Sequence, residues 1–481
     1  MKSNFLHVFN YTMKKQQDNF SLEKVEAIQE FDDDGQARRT GTWMSASAHI
    51  ITAVVGSGVL SLTWCLAQLG WVFGTFLLVV FAVISWYTCI LLTNCYRYPH
   101  PVTGTTRNYN YMQAVKTNLG GRQYILCAIA QYETLIGVSI GYTITSSISM
   151  GAIKRSSCFH KYGHDEGCHT MNSSYLLIFA CIELVLSQIP NFHKLSFLSI
   201  IATIMSFVYS SIGMGLSIAK IAGGEHPKTS IGMPPRDDMS SKDRLWNIFC
   251  ATGDIAFAYG FASILFEIQD TLKSSPPENK VMKTATTIGI SASTSFYMLC
   301  GLLGYAAFGN NAPGNYLTGF GFYEPFWLVD IANLCIVIHL LGAYQVVIQP
   351  FFAFVENLSR QRWPESRFVN KEYIIGCFRF NLFRLFWRSA YVTLATLVAM
   401  MFPFFNAFLA LIGSMTFWPL TVYFPIEMYI VQAKIPKNSF WWFWLRALSL
   451  VCLVVSTLAA AGSIRGLVMS VQTSKLFLSE S

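Results

Sequence analysis

Long apolar stretches separated by short polar segments dominate the chain from Trp43 onward. At roughly 20 residues per membrane-crossing helix, the pattern predicts about eleven spans. Their approximate limits are 42–69, 72–95, 121–152, 173–190, 195–222, 244–269, 285–308, 326–355, 388–402, 406–430 and 440–462. The expected fold class is therefore all-α, a polytopic membrane protein. The first stretch is not uniform: Gly56-Ser57-Gly58 interrupts the run from Trp43 to Leu69 near its midpoint. Lipid supplies no water to freed backbone groups, so a break at mid-depth persists only where it lines a cavity or binds something. The sixth stretch carries a second interruption, Ala251-Thr-Gly-Asp-Ile-Ala-Phe-Ala-Tyr-Gly260, with Gly253 and Gly260 bracketing Asp254. If spans one to five and six to ten form inverted halves, helices one and six are equivalent, and paired interruptions mark a shared site. The expectation is a 5+5 inverted repeat with broken helices 1 and 6 and one added helix. The competing reading is that these glycines only permit close helix packing.

Composition agrees with membrane residence. Hydrophobic residues make up 53% of the chain and charged ones 12%, more apolar surface than one soluble core hides. Lys and Arg set the orientation. With a cytosolic N-terminus, inner segments hold about 24 of these residues and outer segments about 10. The loop after span eight alone carries Arg360, Arg362, Arg367, Lys371, Arg379, Arg384 and Arg388. The net charge of +8 is this bias, and no nucleic acid is implied as a partner. Segment 1–38, with an acidic knot at Glu30, Asp32, Asp33 and Asp34, reads as a disordered cytosolic tail. It shows no signal-peptide core. Segment 39–466 is the expected transmembrane transporter domain, and 467–481 the extracellular C-terminal tail. Of twelve cysteines, Cys158 and Cys168 share an outer loop, where an oxidising compartment permits a disulfide. Free thiols, or zinc held with His160, His164 and His169, are the alternatives. The sequon at Asn172 lies on the same face.

The breaks suggest their own chemistry. Unwinding near Gly56 exposes N–H groups at the positive start of the outer half of helix one, which suits a carboxylate. Val55, Gly56, Ser57 and Gly58 are the candidate carboxylate site. The inner half of helix six is expected to present free carbonyls to an ammonium group, assisted by Asp254. Opposite ends on one midplane pocket describe a zwitterion site, and an α-amino acid is the simplest such solute. Ionisable residues within spans are functional candidates by default: His49, Glu133, Glu183, Asp254, Glu267, Asp330 and His339. His49, Asp254 and His339 are the proton-coupling candidates, because coupling needs a group that titrates between the two membrane faces.

Several strings resemble the plant amino acid permeases, of the amino acid/auxin permease group. They are Arg39-Thr-Gly-Thr-Trp43, Ala48-His-Ile-Ile-Thr-Ala-Val-Val-Gly-Ser-Gly-Val-Leu-Ser-Leu62, Gly253-Asp-Ile-Ala-Phe-Ala-Tyr259, Glu267-Ile-Gln-Asp-Thr-Leu272, Gly309-Asn-Asn-Ala-Pro-Gly314 and Phe417-Trp-Pro-Leu-Thr-Val-Tyr-Phe-Pro425. The resemblance runs from about Arg38 to Gly466. It implies a leucine-transporter-type inverted-repeat fold and proton-coupled import of amino acids across the plasma membrane, with the N-terminus cytosolic and the C-terminus extracellular. It also implies that Asp254, Ile255, Ala256, Phe257, Ala258 and Tyr259 contact the amine and side chain. Helix eight then packs on helix one, a placement that would bring His49 and His339 together. Phe261-Ala262 stands where the family often has Tyr-Ser, which makes that wall less polar. A carrier of auxin-like organic anions and a non-transporting amino acid sensor are the alternatives. No enzyme signature is visible, and beyond the proton no cofactor or metal is expected.

Overall fold

The computed structural model describes residues 31–473 except 37, 164–167, 169–170, 190–195, 225–226, 235–239, 321–324 and 376–377. Most of both expected tails, 1–30 and 474–481, lies outside the described residues, as do His164, His169 and Glu30.

Eleven helical spans cross the described chain. The first is in pieces, Trp43–Val54, Ser57–Leu60 and Leu62–Leu69. Trp71–Thr93, Gly121–Tyr162, Asn172–Leu186 and Ser196–Ala222 follow. The sixth is again divided, into Ser241–Ala258, Ala262–Ile264 and Leu265–Gln269. Then come Glu278–Phe308, Phe326–Arg362 and Leu382–Met401. The tenth is Phe405–Thr416, a π-helical turn Phe417–Tyr423 around Pro419, and Phe424–Gln432. Pro419 has no N–H to give the preceding turn, which favours such a widened one. Phe440–Thr473 is the eleventh.

Eight of these are long and apolar enough to cross a membrane by length and composition. The other three show why hydropathy alone blurs their limits. Span one is broken, Asn172–Leu186 has 15 residues, and Leu382–Met401 contains Arg384 and Arg388. That ninth span starts six residues before the expected position 388. Asn381 caps it by accepting the Arg384 N–H at 3.0 Å. Arg388 is buried because Glu356 of span eight takes its Nε at 2.7 Å and the Ser187 carbonyl its Nη1 at 2.6 Å. Spans three, eight and eleven run past their expected ends to Tyr162, Arg362 and Thr473. Residues 467–473, expected to open an extracellular tail, are therefore helix.

Glycine governs the closest helix crossings. A Cβ on Gly253 would meet the Ala410 carbonyl oxygen at 2.6 Å, and Gly413 backs onto Gly253 and Phe257 with similar intimacy. Spans six and ten, the most enclosed of the long helices, thus touch backbone to backbone. Gly253 serves packing, as the bland reading of small residues holds.

On the cytosolic side by the expected orientation, a short hairpin pairs Arg97 with Arg107 and Tyr98 with Thr106. Like charges facing across a hairpin repel, so the two arginines need acids. Glu278 supplies Oε1 to Arg97 at 2.7 Å and to Arg107 at 3.1 Å. Asp33 pairs with both, and Asp34 with Arg107 at 3.0 Å. Arg39, 8% exposed, joins Asp32, Asp34 and Asp270. Its hydrogen bond to Asp34 holds that carboxyl well below the usual carboxylate range, against the opposing pull of desolvation. The acidic residues 32–34, expected in a solvated tail, are thus docked. Their partners lie far along the chain, where local composition does not reveal them.

Candidate functional site

The break in span one falls at Val55-Gly56. Val55 N–H closes the last turn on Ile51 O at 2.8 Å, and Gly56 N–H folds back onto Val54 O at 2.9 Å. The next segment starts at Ser57, so the Ser57 and Gly58 N–H groups stand at a helix start without intrahelical acceptors. In span six the ladder ends at Ala258, and Tyr259, Gly260 and Phe261 are not helical. The carbonyl end that reaches the break belongs to the longer segment Ser241–Ala258. With a cytosolic N-terminus this is the outer half, which corrects the expectation of an inner one. The reason is chain polarity: a helix running inward carries its carbonyl terminus at the inner end of its outer half.

The two breaks meet. A Cβ on Gly58 would lie 3.1 Å from Ala258 Cα, and the Tyr297 hydroxyl of span seven donates to Val54 O and reaches Ala258 O at 3.2 Å. Tyr297 is fully buried and packs its ring edge-on against Tyr259. Beside this junction lies a cavity of about 160 Å³. It is lined by Val54, Gly56, Ser57 and Gly58 from span one, and by Phe257, Ala258, Gly260, Phe261 and Ser263 from span six. Thr134, Leu135, Val138 and Tyr142 of span three, Val347 of span eight and Thr416 of span ten complete the wall. No ionisable carboxylate, ammonium, guanidinium or imidazole lines it. Its polar character comes from helix ends and hydroxyls.

Several expected residues stand elsewhere. Asp254 is fully buried on unbroken helix, with Cys65 Sγ 3.9 Å from Oδ2 and no partner for Oδ1. Ile255 and Ala256 are core residues, Val55 is buried behind the break, and Tyr259 turns its hydroxyl to Thr294 at 3.3 Å. Of the expected substrate residues the cavity itself takes Gly56, Ser57, Gly58, Phe257 and Ala258.

The two histidines do not meet. His49 is exposed and lies seven residues before Gly56, about 10 Å along a helix. His339 is buried between spans one, five and eight, with Nδ1 2.6 Å from Ala202 O. A carbonyl only accepts, so Nδ1 carries the proton and Nε2 a lone pair. Nε2 has no partner, and a Cβ on Gly56 would lie 3.9 Å from it. His339 therefore stands directly behind the first break. The Cys158 and Cys168 sulfurs are bonded to each other, His160 stacks on Phe326, and no metal-holding group exists among the described residues.

Residues that the sequence did not single out are Tyr297, Thr134, Tyr142 and Thr416. Each is an ordinary polar or aromatic residue in an apolar span, and no spacing distinguishes it.

Residues 39–469 match the family model for transmembrane amino acid transporter proteins. Amino acid permease 6 of Arabidopsis thaliana is 60% identical over 455 residues, which cover 93% of this chain and 94% of that protein. Amino acid permease 8 of the same plant is 58% identical, covering 94% and 96%. Among solved structures, the inward facing conformation of Mhp1 matches with a TM-score of 0.54 and 12% identity, covering 90% of this chain and 91% of that one. At that identity the likeness carries the fold alone.

Proposed function

The chain belongs to the transmembrane amino acid transporter family, and from that premise we propose that it is a proton-coupled symporter importing amino acids across the plasma membrane by alternating access. The observation that carries this reading is the shared cavity of the two breaks, lined by the helix start at Ser57 and Gly58 and by the helix end at Phe257 and Ala258. Helix starts favour a carboxylate and helix ends an ammonium. A zwitterion needs both, whereas a bare organic anion gains nothing from the carbonyl end. The cavity offers no arginine or lysine to such an anion.

His339 is the proton carrier in this reading. Its free Nε2 lies behind Gly56, so protonation there adds positive charge beside the carboxylate end and makes substrate and proton affinities interdependent. Asp254, away from the cavity, is the second candidate.

Proteoliposomes with imposed gradients test the proposal. Amino acid accumulation should follow either an inward proton gradient or an inside-negative potential, the latter contributing about 2.3 kcal/mol per charge per 100 mV. His339→Gln should retain substrate counterflow and lose pH-driven accumulation. Flux indifferent to both pH and potential would sink the symport reading.

A further inference from the structure

Between spans eight and nine the chain makes a compact turn, on the cytosolic side by the expected orientation. Span eight ends in Arg360 and Arg362, and 363–371 folds back on itself. Asn370 Nδ2 donates to the carbonyls of Trp363 at 3.0 Å and Pro364 at 2.8 Å. Asn381 Nδ2 donates to those of Val369 at 2.8 Å and Lys371 at 3.1 Å. The Phe368 ring packs edge-on against Phe383 of span nine. Two side-chain amides and a ring contact thus shape the turn without engaging its charges. Arg360, Arg362, Arg367 and Lys371 are exposed and form no ion pair among the described residues, since the buried Glu356 takes Arg384 and Arg388 instead. Trp363 is 54% exposed and Phe368 47%, continuing the apolar outer face that Leu358 and Phe386 present on spans eight and nine.

We infer that this basic turn binds the headgroup of a polyanionic phospholipid, a phosphoinositide carrying a phosphate monoester, in the cytosolic leaflet. Basic clusters directly beyond a membrane helix attract anionic lipid, each cation adding about a fivefold gain. Orientation alone requires only a count of charges. Here a fixed backbone holds four cations on one short turn, which lowers the ordering cost of binding. The forked guanidinium groups of Arg360, Arg362 and Arg367 match phosphate oxygens in pairs. Glu365 and Glu372 share the segment and offset part of the attraction, so a headgroup with one net charge gains little and one with several gains most. Trp363 and Phe368 supply the apolar half of the site, since aromatic rings settle at the membrane interface. They favour a ligand held in the leaflet over the same headgroup free in solution.

Microscale thermophoresis of the purified full-length protein in detergent, titrated with dioctanoyl phosphatidylinositol 4-phosphate, tests this. Saturable binding is expected, with dioctanoyl phosphatidylserine and free inositol 1,4-bisphosphate both much weaker. Arg360→Gln and Arg367→Gln should each weaken it about fivefold, and the quadruple variant that adds Arg362→Gln and Lys371→Gln should lose more than about a hundredfold. The four side chains are exposed, size-exclusion profiles report folding, and the single variants decide the matter should the quadruple one not fold. Trp363→Ala with Phe368→Ala should bring the lipid down towards the affinity of the free headgroup. Lys154→Gln with Lys161→Gln, at the opposite membrane face by the expected orientation, should change nothing. Unaltered binding in the arginine variants, an equal loss from the Lys154 and Lys161 pair, or phosphatidylserine or free inositol bisphosphate binding as tightly as the phosphoinositide would each overturn the inference.

Discussion

Gly58 is the position where the structure makes its sharpest demand. A methyl group there would stand 3.1 Å from Ala258 Cα and 3.2 Å from its Cβ, where carbon pairs are most stable at about 3.5–4.0 Å. Alanine therefore requires the two broken helices to part by about 0.4 Å at their junction. Overpacking costs about 1–3 kcal/mol, and one methyl with so small a shift belongs at the low end. With 1.36 kcal/mol per factor of ten, Gly58→Ala should transport roughly fivefold more slowly. Gly58→Val adds two further methyls to the same gap, and a cost of about 3 kcal/mol translates to a loss of more than a hundredfold. Gly56→Ala is the matched control, because its methyl meets nothing closer than His339 Nε2 at 3.9 Å. It should fold normally and shift the pH dependence of uptake. Initial uptake rates in proteoliposomes, normalised to reconstituted protein, give the comparison. Wild-type rates for Gly58→Val, or misfolding confined to Gly56→Ala, would refute the geometry.

Further outcomes follow from packing and charge. Gly253→Ala should lower the melting temperature in detergent, because the Ala410 carbonyl must retreat by about 0.8 Å to reach an ordinary contact, while the KM of residual uptake stays unchanged since Gly253 does not line the cavity. Arg388→Ala leaves Glu356 only the longer contact to Arg384 at 3.6 Å and should cost about 3 kcal/mol, the low end for breaking a buried pair, read as a lower melting temperature in the same thermal assay. Asp34→Asn should destabilise the protein at pH 7. The native Asp34 carboxyl is held low, so its contribution is complete above the ordinary carboxylate value of about 3.9 and fades as pH falls towards the lower native value. The melting-temperature gap between wild type and Asp34→Asn should therefore stay level from pH 8 to about 5 and narrow only in stronger acid; a gap that closes near pH 6 would contradict the pairing with Arg39.

What the sequence disclosed depended on how local the cause was. The first break was legible because a Gly-Ser-Gly triplet has no other good use inside an apolar run. The second was harder: Gly253 and Gly260 look alike in sequence, and either costs about 1 kcal/mol in a helix. Which one breaks and which one packs depends on span ten, whose Ala410 carbonyl needs the space at Gly253. Asp254 follows the same rule, since bracketing glycines suggest unwinding where the helix in fact continues. In the ninth span Arg384 and Arg388 look too polar for lipid, although Glu356 of another helix meets both. His339 was legible as a buried ionisable group, but its neighbour Gly56 was not, since no spacing relates residues 283 positions apart.

The docked acidic residues bear on how the cavity opens. Arg39 binds Asp270, Gly41 N–H reaches Thr271 O at 2.9 Å, and Lys273 N–H returns to Gly41 O at 3.1 Å. The chain entering Trp43–Val54 is thereby laced to the chain leaving Leu265–Gln269. Trp43–Val54 precedes its break and Leu265–Gln269 follows its own, so in antiparallel spans the two lie on the same side. A hinge at Gly56 alone would have to tear these backbone bonds and separate Arg39 from Asp270, as would one at Gly260 alone. At the breaks Tyr297 ties Val54, the last residue of Trp43–Val54, to Ala258, the last residue of the opposite segment Ser241–Ala258. Rotation of Trp43–Val54 and Leu265–Gln269 as one body keeps the Arg39 and Gly41 contacts. It must part the Tyr297 hydroxyl from either Val54 or Ala258, which lie on opposite sides of the two breaks. A joint movement of the two segments against spans three, eight and ten, whose residues complete the cavity wall, therefore turns on that one hydroxyl.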